Sequence, residues 1–291
     1  MKKNRGWFKV GHKPWMGGWH MAEKFLVVGA TSFYGSNFVK LLEAKGHEVS
    51  KMSLRNWSHD EIKADYVVNF AAANIVAESW KKPTEYMLVN VVAHTELLEV
   101  LRKKKIKKYV NVSTPEVYGS VNAWVTEDQV MNPSTPYGVS KAATDMMLFA
   151  YHRAYDFPAV ITRTANIYGP GQPAYRLITK ALDYKRRGET FKLDGKGASV
   201  RCFIHVRDAC EATYLAATKG RPGEIYHISS YDALTIKELV ERIGCKWESV
   251  PERLGKDFCY MMDSTKLRKM GWQDKISLEE GLMQCASAIS A

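Results

Sequence analysis

The sequence predicts an α/β fold, a doubly wound parallel sheet with a smaller C-terminal α/β lobe. Strand-like and helix-like segments alternate from residue 24 to about 228, the pattern that parallel strands joined by crossover helices produce. A glycine-bearing turn closes the first strand and opens the first helix. That pattern breaks between residues 167 and 202 and again beyond 230, where a second lobe would take the chain. At 291 residues and 46% hydrophobic content, the chain can bury a full core in one two-lobed unit.

Phe25-Leu26-Val27-Val28 is a short apolar run, and Phe38, Val39, Leu41 and Leu42 recur at helical period. Between them lies Gly29-Ala30-Thr31-Ser32-Phe33-Tyr34-Gly35. Glycines in such a turn let backbone approach a pyrophosphate, which the helix N-terminus stabilises through free N–H groups and its dipole. Ser32 stands where the middle glycine is usual, so an altered phosphate geometry is expected. The second strand, His47 to Leu54, should end at the acid that holds an adenosine ribose diol. Ser53 and Arg55 are there instead, and a hydroxyl with a guanidinium suits a 2′-phosphate, which favours NADP over NAD. Only about ten residues separate this strand from Asp65-Tyr66-Val67-Val68-Asn69-Phe70, too few for a full crossover helix. A trimmed adenine-side edge is expected.

The strand beginning at Tyr109 ends in Ser113-Thr114-Pro115-Glu116. Carboxyl ends of parallel strands face the ligand crevice, so Thr114 and Glu116 would line it. Tyr137 and Lys141, four apart, would share one helix face. Thr135 suits the N-cap of that helix and Pro136 its first position. A cation beside a phenol lowers its pKa, which would make Tyr137 a usable base. Leu234, Ile236, Leu239, Val240 and Ile243 predict a helix in the smaller lobe.

Five cysteines without paired metal-ligand spacing argue against a disulfide framework and for a reducing, cytoplasmic location. No stretch approaches the roughly twenty apolar residues needed to span a bilayer. The formal net charge is +11, and Lys2, Lys3, Arg5, Lys9 and Lys13 stand among Trp7, Phe8, Trp15 and Trp19 without an acid. Such a mixture can bind nucleic acid. Residues 1–21 read instead as a disordered leader ahead of a second start at Met21, and no nucleic-acid partner is expected. The run Arg102 to Lys108 reads as a solvated helix end.

Gly29 to Gly35, Ala71-Ala72, Asn90, Ser113 to Gly119, Tyr137 to Lys141, Arg163 to Gly171 and Arg201 to Asp208 together resemble the extended short-chain dehydrogenase/reductases that act on nucleotide sugars. The likeness runs from about residue 24 to the C-terminus and comes nearest to the sugar-nucleotide 4,6-dehydratases. It implies a Rossmann domain over 22–166 and 203–229 and a nucleotide-sugar lobe over 167–202 and 230–291. It also implies a tightly bound, recycled dinucleotide held by the glycine turn together with Ala71, Ala72, Asn90, Val112, Tyr137 and Lys141. Tyr137 would take the proton from the C4 hydroxyl, with Thr114 on the same oxygen and Lys141 on the nicotinamide ribose. Ser79, Asn166, Arg176, Arg201, Arg253 and Asp257 would surround a nucleoside-diphosphate hexose.

Family dehydratases and UDP-glucuronate decarboxylases carry Glu at the place of Glu116, where it can remove the C5 proton, and 4-epimerases lack it. Dehydratase is the expected activity; 4-epimerase and decarboxylase are the enzymatic alternatives. A dinucleotide-binding sensor is the non-enzymatic one, though such proteins typically lose the Tyr and Lys pair. Two departures stand out. Pro115 replaces the acid that protonates the leaving hydroxyl in dTDP-glucose dehydratases, and Ile75 replaces a frequent His. The family implies a homodimer pairing the helix near Val91 to Leu101 with the one carrying Tyr137.

Overall fold

The computed structural model describes residues 22–55, 57, 62–252 and 257–290. The leader and Arg253 lie outside the described residues. Strand β1 (Lys24–Val28) leads through the Gly29 turn to α1 (Phe33–Ala44), β2 (Glu48–Met52) and β3 (Tyr66–Asn69). Short helices α2 (Val76–Lys81) and α3 (Pro83–Met87) and a π-helical turn (Leu88–Val92) precede α4 (Ala93–Leu101) and β4 (Lys108–Ser113). A 3-10 turn (Pro115–Val117) follows β4, then α5 (Pro136–Tyr155), β5 (Ala159–Thr164) and β6 (Asn166–Tyr168). The chain continues through α6 (Leu177–Arg187), β7 (Phe191–Asp194), β8 (Val200–His205), α7 (Val206–Lys219) and β9 (Ile225–Ile228). It closes with β10 (Ala233–Thr235), α8 (Ile236–Ile243), β11 (Trp247–Val250), β12 (Cys259–Tyr260), α9 (Thr265–Arg268) and α10 (Leu278–Ser290).

Six strands pair in parallel in the order β2-β1-β3-β4-β5-β9. The strands inside the sheet are almost wholly buried because both faces are covered, whereas the edge strand β2, Glu48-Val49-Ser50-Lys51-Met52, has no buried residue. Phe25, Val27, Val68, Val110 and Val160 pack on one face with Phe38 and Leu42 of α1 and Ala209, Ala212 and Ala216 of α7. Leu26, Val28, Val67, Tyr109 and Ile161 pack on the other with Leu97, Leu98 and Leu101 of α4 and Leu148 and Tyr151 of α5. Each fully buried Val, Leu, Ile or Phe among them contributes about 1.5–3 kcal/mol, and the alanines contribute less. The edge strand on the adenine side is β2, and among the described residues no helix joins it to β3. That is the trimmed edge the short interval predicts.

The smaller lobe has its own core, in which Ile178 and Leu182 of α6 meet Leu239, Val240 and Ile243 of α8 and Leu278 of α10. Strand β8 pairs with β10, β12 and β6, and β7 pairs with β11. One boundary moves. Phe203 to His205 pair with β6 outside the six-stranded sheet, so the chain returns to the dinucleotide layer at α7 rather than at residue 203. The strand-like run there was indistinguishable in sequence from a strand of the main sheet, since both are buried.

The strand order reverses between β1 and β3, which opens a crevice beyond their carboxyl ends. Gly29 ends β1 with φ +76°, and a Cβ there would stand 2.6 Å from the Ala71 nitrogen after β3. Glycine is therefore what lets the two loops meet at the switch point. All five cysteines are free and buried. No helix among the described residues is long and apolar enough to cross a membrane.

Candidate active site

Ser32 caps α1: its hydroxyl accepts from the Gly35 N–H at 3.0 Å and donates to the Gly29 carbonyl at 2.8 Å. The serine that replaces the middle glycine thus closes the turn from inside. Thr31 is exposed on it and Phe33 is half-buried. Tyr34 requires a correction. It was expected to line the dinucleotide, but its phenol donates to the Ala209 carbonyl at 2.8 Å and meets Thr213 at 2.6 Å. It also packs edge-on against Phe70, so it is a core residue joining α1 to α7. Ser53 and Arg55 are both exposed beyond β2, with the Ser53 hydroxyl accepting from the Arg55 N–H at 3.3 Å.

Asn90 also has another job. Its amide accepts from the Ala73 N–H at 2.8 Å and donates to the Ala73 carbonyl at 3.0 Å and to Ser140 at 2.9 Å. With its side chain so engaged, it braces the loop containing Ala71 and Ala72 against α5 rather than reaching a ligand itself. Ser79 is fully buried and donates to the Val76 carbonyl at 2.6 Å, which takes it off the substrate surface.

Helix α5 starts as its sequence predicts, with the Thr135 hydroxyl accepting from the Gly138 N–H at 3.0 Å and Pro136 at the first position. Tyr137 sits in its first turn, buried, with Thr114 close enough to its phenol to act on it. Lys141, one turn on, donates to the Val112 carbonyl at 2.9 Å. A Cβ on Gly138 would lie 2.7 Å from the Glu116 carbonyl. Only glycine lets the helix carrying the phenol close onto the turn carrying the carboxylate. Thr114 caps that turn through the Glu116 N–H at 3.4 Å.

Burial dominates the electrostatics. Glu116 Oε2 is shielded from solvent and has no hydrogen-bond partner among the described residues. Burial, reinforced by Asp257 and opposed by Arg201 and Arg176, raises its carboxyl to about 7. Lys141 is lowered by burial to about 8, with Asp145 opposing. The Tyr137 phenol is pushed upward, by burial first and by Glu116 second, against the Thr114 hydrogen bond and Arg176. The expectation that Lys141 depresses it is corrected accordingly: burial dominates, and the cation that pulls the phenol down is Arg176 rather than Lys141.

The smaller lobe closes the site. Arg201 of β8 is buried over the Tyr260 ring at 4.1 Å and donates to the carbonyls of Val200 (2.7 Å), Phe258 (3.0 Å) and Asp257 (2.6 Å). Asp257 accepts from Ser134 at 2.6 Å and from the Tyr260 phenol. Arg176 caps α6 beside the Tyr175 ring at 5.3 Å, near enough to act on both Glu116 and Tyr137. Asn166 begins β6, half-buried, beyond β5. Sequence reasoning missed Tyr86. Its ring stands edge-on to Tyr137 with centroids 6.2 Å apart, and its phenol donates to the Ile75 carbonyl at 2.5 Å. The residue lies in a helix of five residues, too short for its period to reveal which side is buried.

A family model described as the NAD dependent epimerase/dehydratase family matches residues 25–229. The chain belongs to that family. It is 32% identical over 298 residues to the low-salt glycan biosynthesis protein Agl12 of Haloferax volcanii, across 89% of this chain and 96% of that protein. A dTDP-glucose 4,6-dehydratase of Streptomyces niveus is 32% identical over 306 residues, across 90% of this chain and 91% of the relative. Among solved structures, the dTDP-glucose 4,6-dehydratase DesIV from Streptomyces venezuelae, with NAD bound, superposes with a TM-score of 0.87 at 30% identity. The match spans 92% of this chain and 97% of that one. A UDP-glucose 4-epimerase from Thermotoga maritima superposes with a TM-score of 0.85 at 28% identity, across 92% and 98%. The family is NAD-dependent, and the glycine approach at the switch point, with α1 opening over it, fits a dinucleotide pyrophosphate.

The Glu116 environment has a measurable consequence. Below about pH 4 the carboxyl is protonated in folded and unfolded chains alike. As pH rises through 4.5 to 7 the unfolded chain ionises it first, and the folded state loses stability. Glu116→Gln is expected to match the wild type at pH 4 and to exceed it at pH 8, by up to roughly 3 kcal/mol. Urea midpoints at the two pH values check this, and an equal difference at both would contradict it.

Proposed function

We propose that this enzyme is a nucleotide-sugar 4,6-dehydratase acting on a nucleoside-diphosphate glucose, with dTDP-glucose as its substrate. The observation that carries the reading is Glu116, a buried carboxyl raised to about 7 on a turn packed against the helix of Tyr137. A nicotinamide dinucleotide held at the switch-point turn would supply the hydride acceptor for C4 and the hydride donor for C6. Tyr137 takes the C4 hydroxyl proton, with Thr114 holding the same oxygen. Oxidation at C4 acidifies the C5 proton, which Glu116 removes. With Pro115 at the place of the separate acid, Glu116 then delivers that proton to the C6 hydroxyl as it leaves as water; after hydride returns to C6, Glu116 recharged from solvent gives C5 its proton and Tyr137 releases the C4 hydroxyl proton to solvent. A carboxyl near 7 can serve both steps because both of its forms are populated at neutral pH. Arg201 and Arg176 suit the diphosphate, since a guanidinium meets phosphate oxygens two at a time. The relatives named dTDP-glucose 4,6-dehydratase support the assignment.

The finer choices rest on this chain's own residues. Arg55 and Ser53, with no acid beside them at the end of β2, favour NADP, and free, buried cysteines support a cytoplasmic location. Leu88, Val92, Val139 and Met146 are exposed on the π-helical turn and α5, and they suit a second copy of the chain.

With dTDP-glucose, mass spectrometry is expected to show loss of one water. Glu116→Gln should still reduce the dinucleotide while C5 exchange with deuterated water disappears, and Tyr137→Phe should lower kcat by roughly 10²–10⁴. A C4-inverted sugar of unchanged mass, without deuterium at C5, would make the enzyme a 4-epimerase. Arg55→Ala is expected to weaken NADP binding and spare NAD in a fluorescence titration; equal effects on both would remove the preference. Light scattering should report a dimer that Val92→Asp with Met146→Asp converts to monomer, and a wild-type monomer would refute the pairing.

A further inference from the structure

Helix α5 carries a charge that the proton transfers leave unused. Asp145 lies one turn beyond Lys141 and two beyond Tyr137, and it is fully buried. Its carboxylate accepts from Asn111 Nδ2 at 3.1 Å, from Ser113 Oγ at 3.0 Å and from Arg163 Nε at 3.1 Å, with Arg163 Nη2 at 3.0 Å. Asn111 and Ser113 flank Val112, whose carbonyl holds the Lys141 ammonium. Two successive turns of α5 are therefore tied to three successive residues of β4. That strand runs directly into Thr114 and Glu116.

Stability alone is a weak account of such a pair, because buried ion pairs can often be replaced by apolar residues at no loss. Arg163 is engaged on its far side as well. Its guanidinium covers the Tyr118 ring at 4.6 Å and reaches Met131 Sδ at 3.3 Å, and the Tyr118 phenol meets His227 Nε2 at 2.6 Å. The charge next to Lys141 follows from its neighbours. From α4, His94 faces it, lowered to about 3 by burial and therefore neutral, with Nε2 at 2.6 Å from the Tyr109 phenol of β4. From α5, Tyr137 is held as the neutral phenol. From β5, Arg163 adds a cation beyond Asp145. Asp145 is the one anion acting on Lys141 among the described residues, and it opposes the desolvation of the ammonium.

We propose that Asp145 is a positioning residue that keeps the Lys141 ammonium charged and fixes the Thr114–Glu116 turn against the helix of Tyr137. It touches neither substrate nor dinucleotide. Its effect passes through Lys141 and through β4.

The test reads Lys141 itself, by carbon-13 labelling of the lysine ε-carbons, with the Lys141 signal assigned through its loss in Lys141→Arg. In Asp145→Asn the Lys141 midpoint is expected to fall by about one pH unit or more, the scale of one nearby opposite charge. In Asp145→Glu the charge is kept and the brace displaced, so the midpoint should stay in place while kcat with dTDP-glucose falls about tenfold. A folded Asp145→Asn variant whose midpoint does not move would overturn the electrostatic role, and unchanged kcat in both variants would overturn the positioning role. Should Asp145→Asn not fold, Asn111→Ala joins Asp145→Glu, since both disturb the brace and retain the charge. Both must lower kcat with the midpoint in place; a midpoint that moves with either sinks the proposal. Only the kinetic measurement rests on the dehydratase reading. If dTDP-glucose is not turned over, the titration still decides the charge effect.

Discussion

The Gly138 backbone presses against the Glu116 carbonyl more closely than any side chain would permit. From that one contact the arrangement of the site follows. A helix packed at ordinary distance would leave the phenol of Tyr137 and the hydroxyl of Thr114 apart, and water would enter between the Glu116 carboxyl and the helix. The same closeness tolerates no drift of β4, and the chain supplies two rungs to prevent it, Lys141 on Val112 and Asp145 on Asn111 and Ser113. Asn90 adds a third tie, from the π-helical turn through Ser140 to the first turn of α5. Single-turn π segments often mark functional places, and here one carries the residue that locks the Ala73 loop to α5.

Desolvation is the common cause behind the titration of the site. It drives the carboxyl of Glu116 up and the ammonium of Lys141 down, toward each other and toward neutrality. Groups that would be fully charged in water thereby become able to exchange protons near pH 7. The counter-charges fall in separate places: Arg201 and Arg176 act on Glu116, and Asp145 acts on Lys141. One cluster belongs to the smaller lobe and the other to the floor of the sheet. The two halves of the fold therefore tune the two halves of the chemistry.

Much of the fold was legible because its signals are local. The apolar run of β1, the turn at Gly29, the Thr135 cap and Pro136 each act within a few residues, and the short interval before β3 correctly foretold the trimmed edge. Tyr34 misled because its neighbours in sequence belong to the turn while its contacts, Ala209 and Thr213, lie on a helix far along the chain. Ser79 misled for a similar reason, its hydroxyl turned back to its own helix. Neither Tyr86 nor Asp145 gave a signal in the sequence. Asp257 was placed near the nucleotide, but its bonds to Ser134 and Tyr260 and its influence on Glu116 came only from folding the lobe over the sheet.

By itself the sequence determined the strand and helix order, the switch-point turn, the start of α5 and the spacing of Thr114, Glu116, Tyr137 and Lys141. Those properties depend on side-chain type, on period and on capping, all of which operate over short stretches of chain. The protonation of those groups, the engagement of Asn90 and the anion beside Lys141 were decided only by tertiary structure. Burial is a sum over neighbours from every element packed around a site, and no local stretch contains that sum.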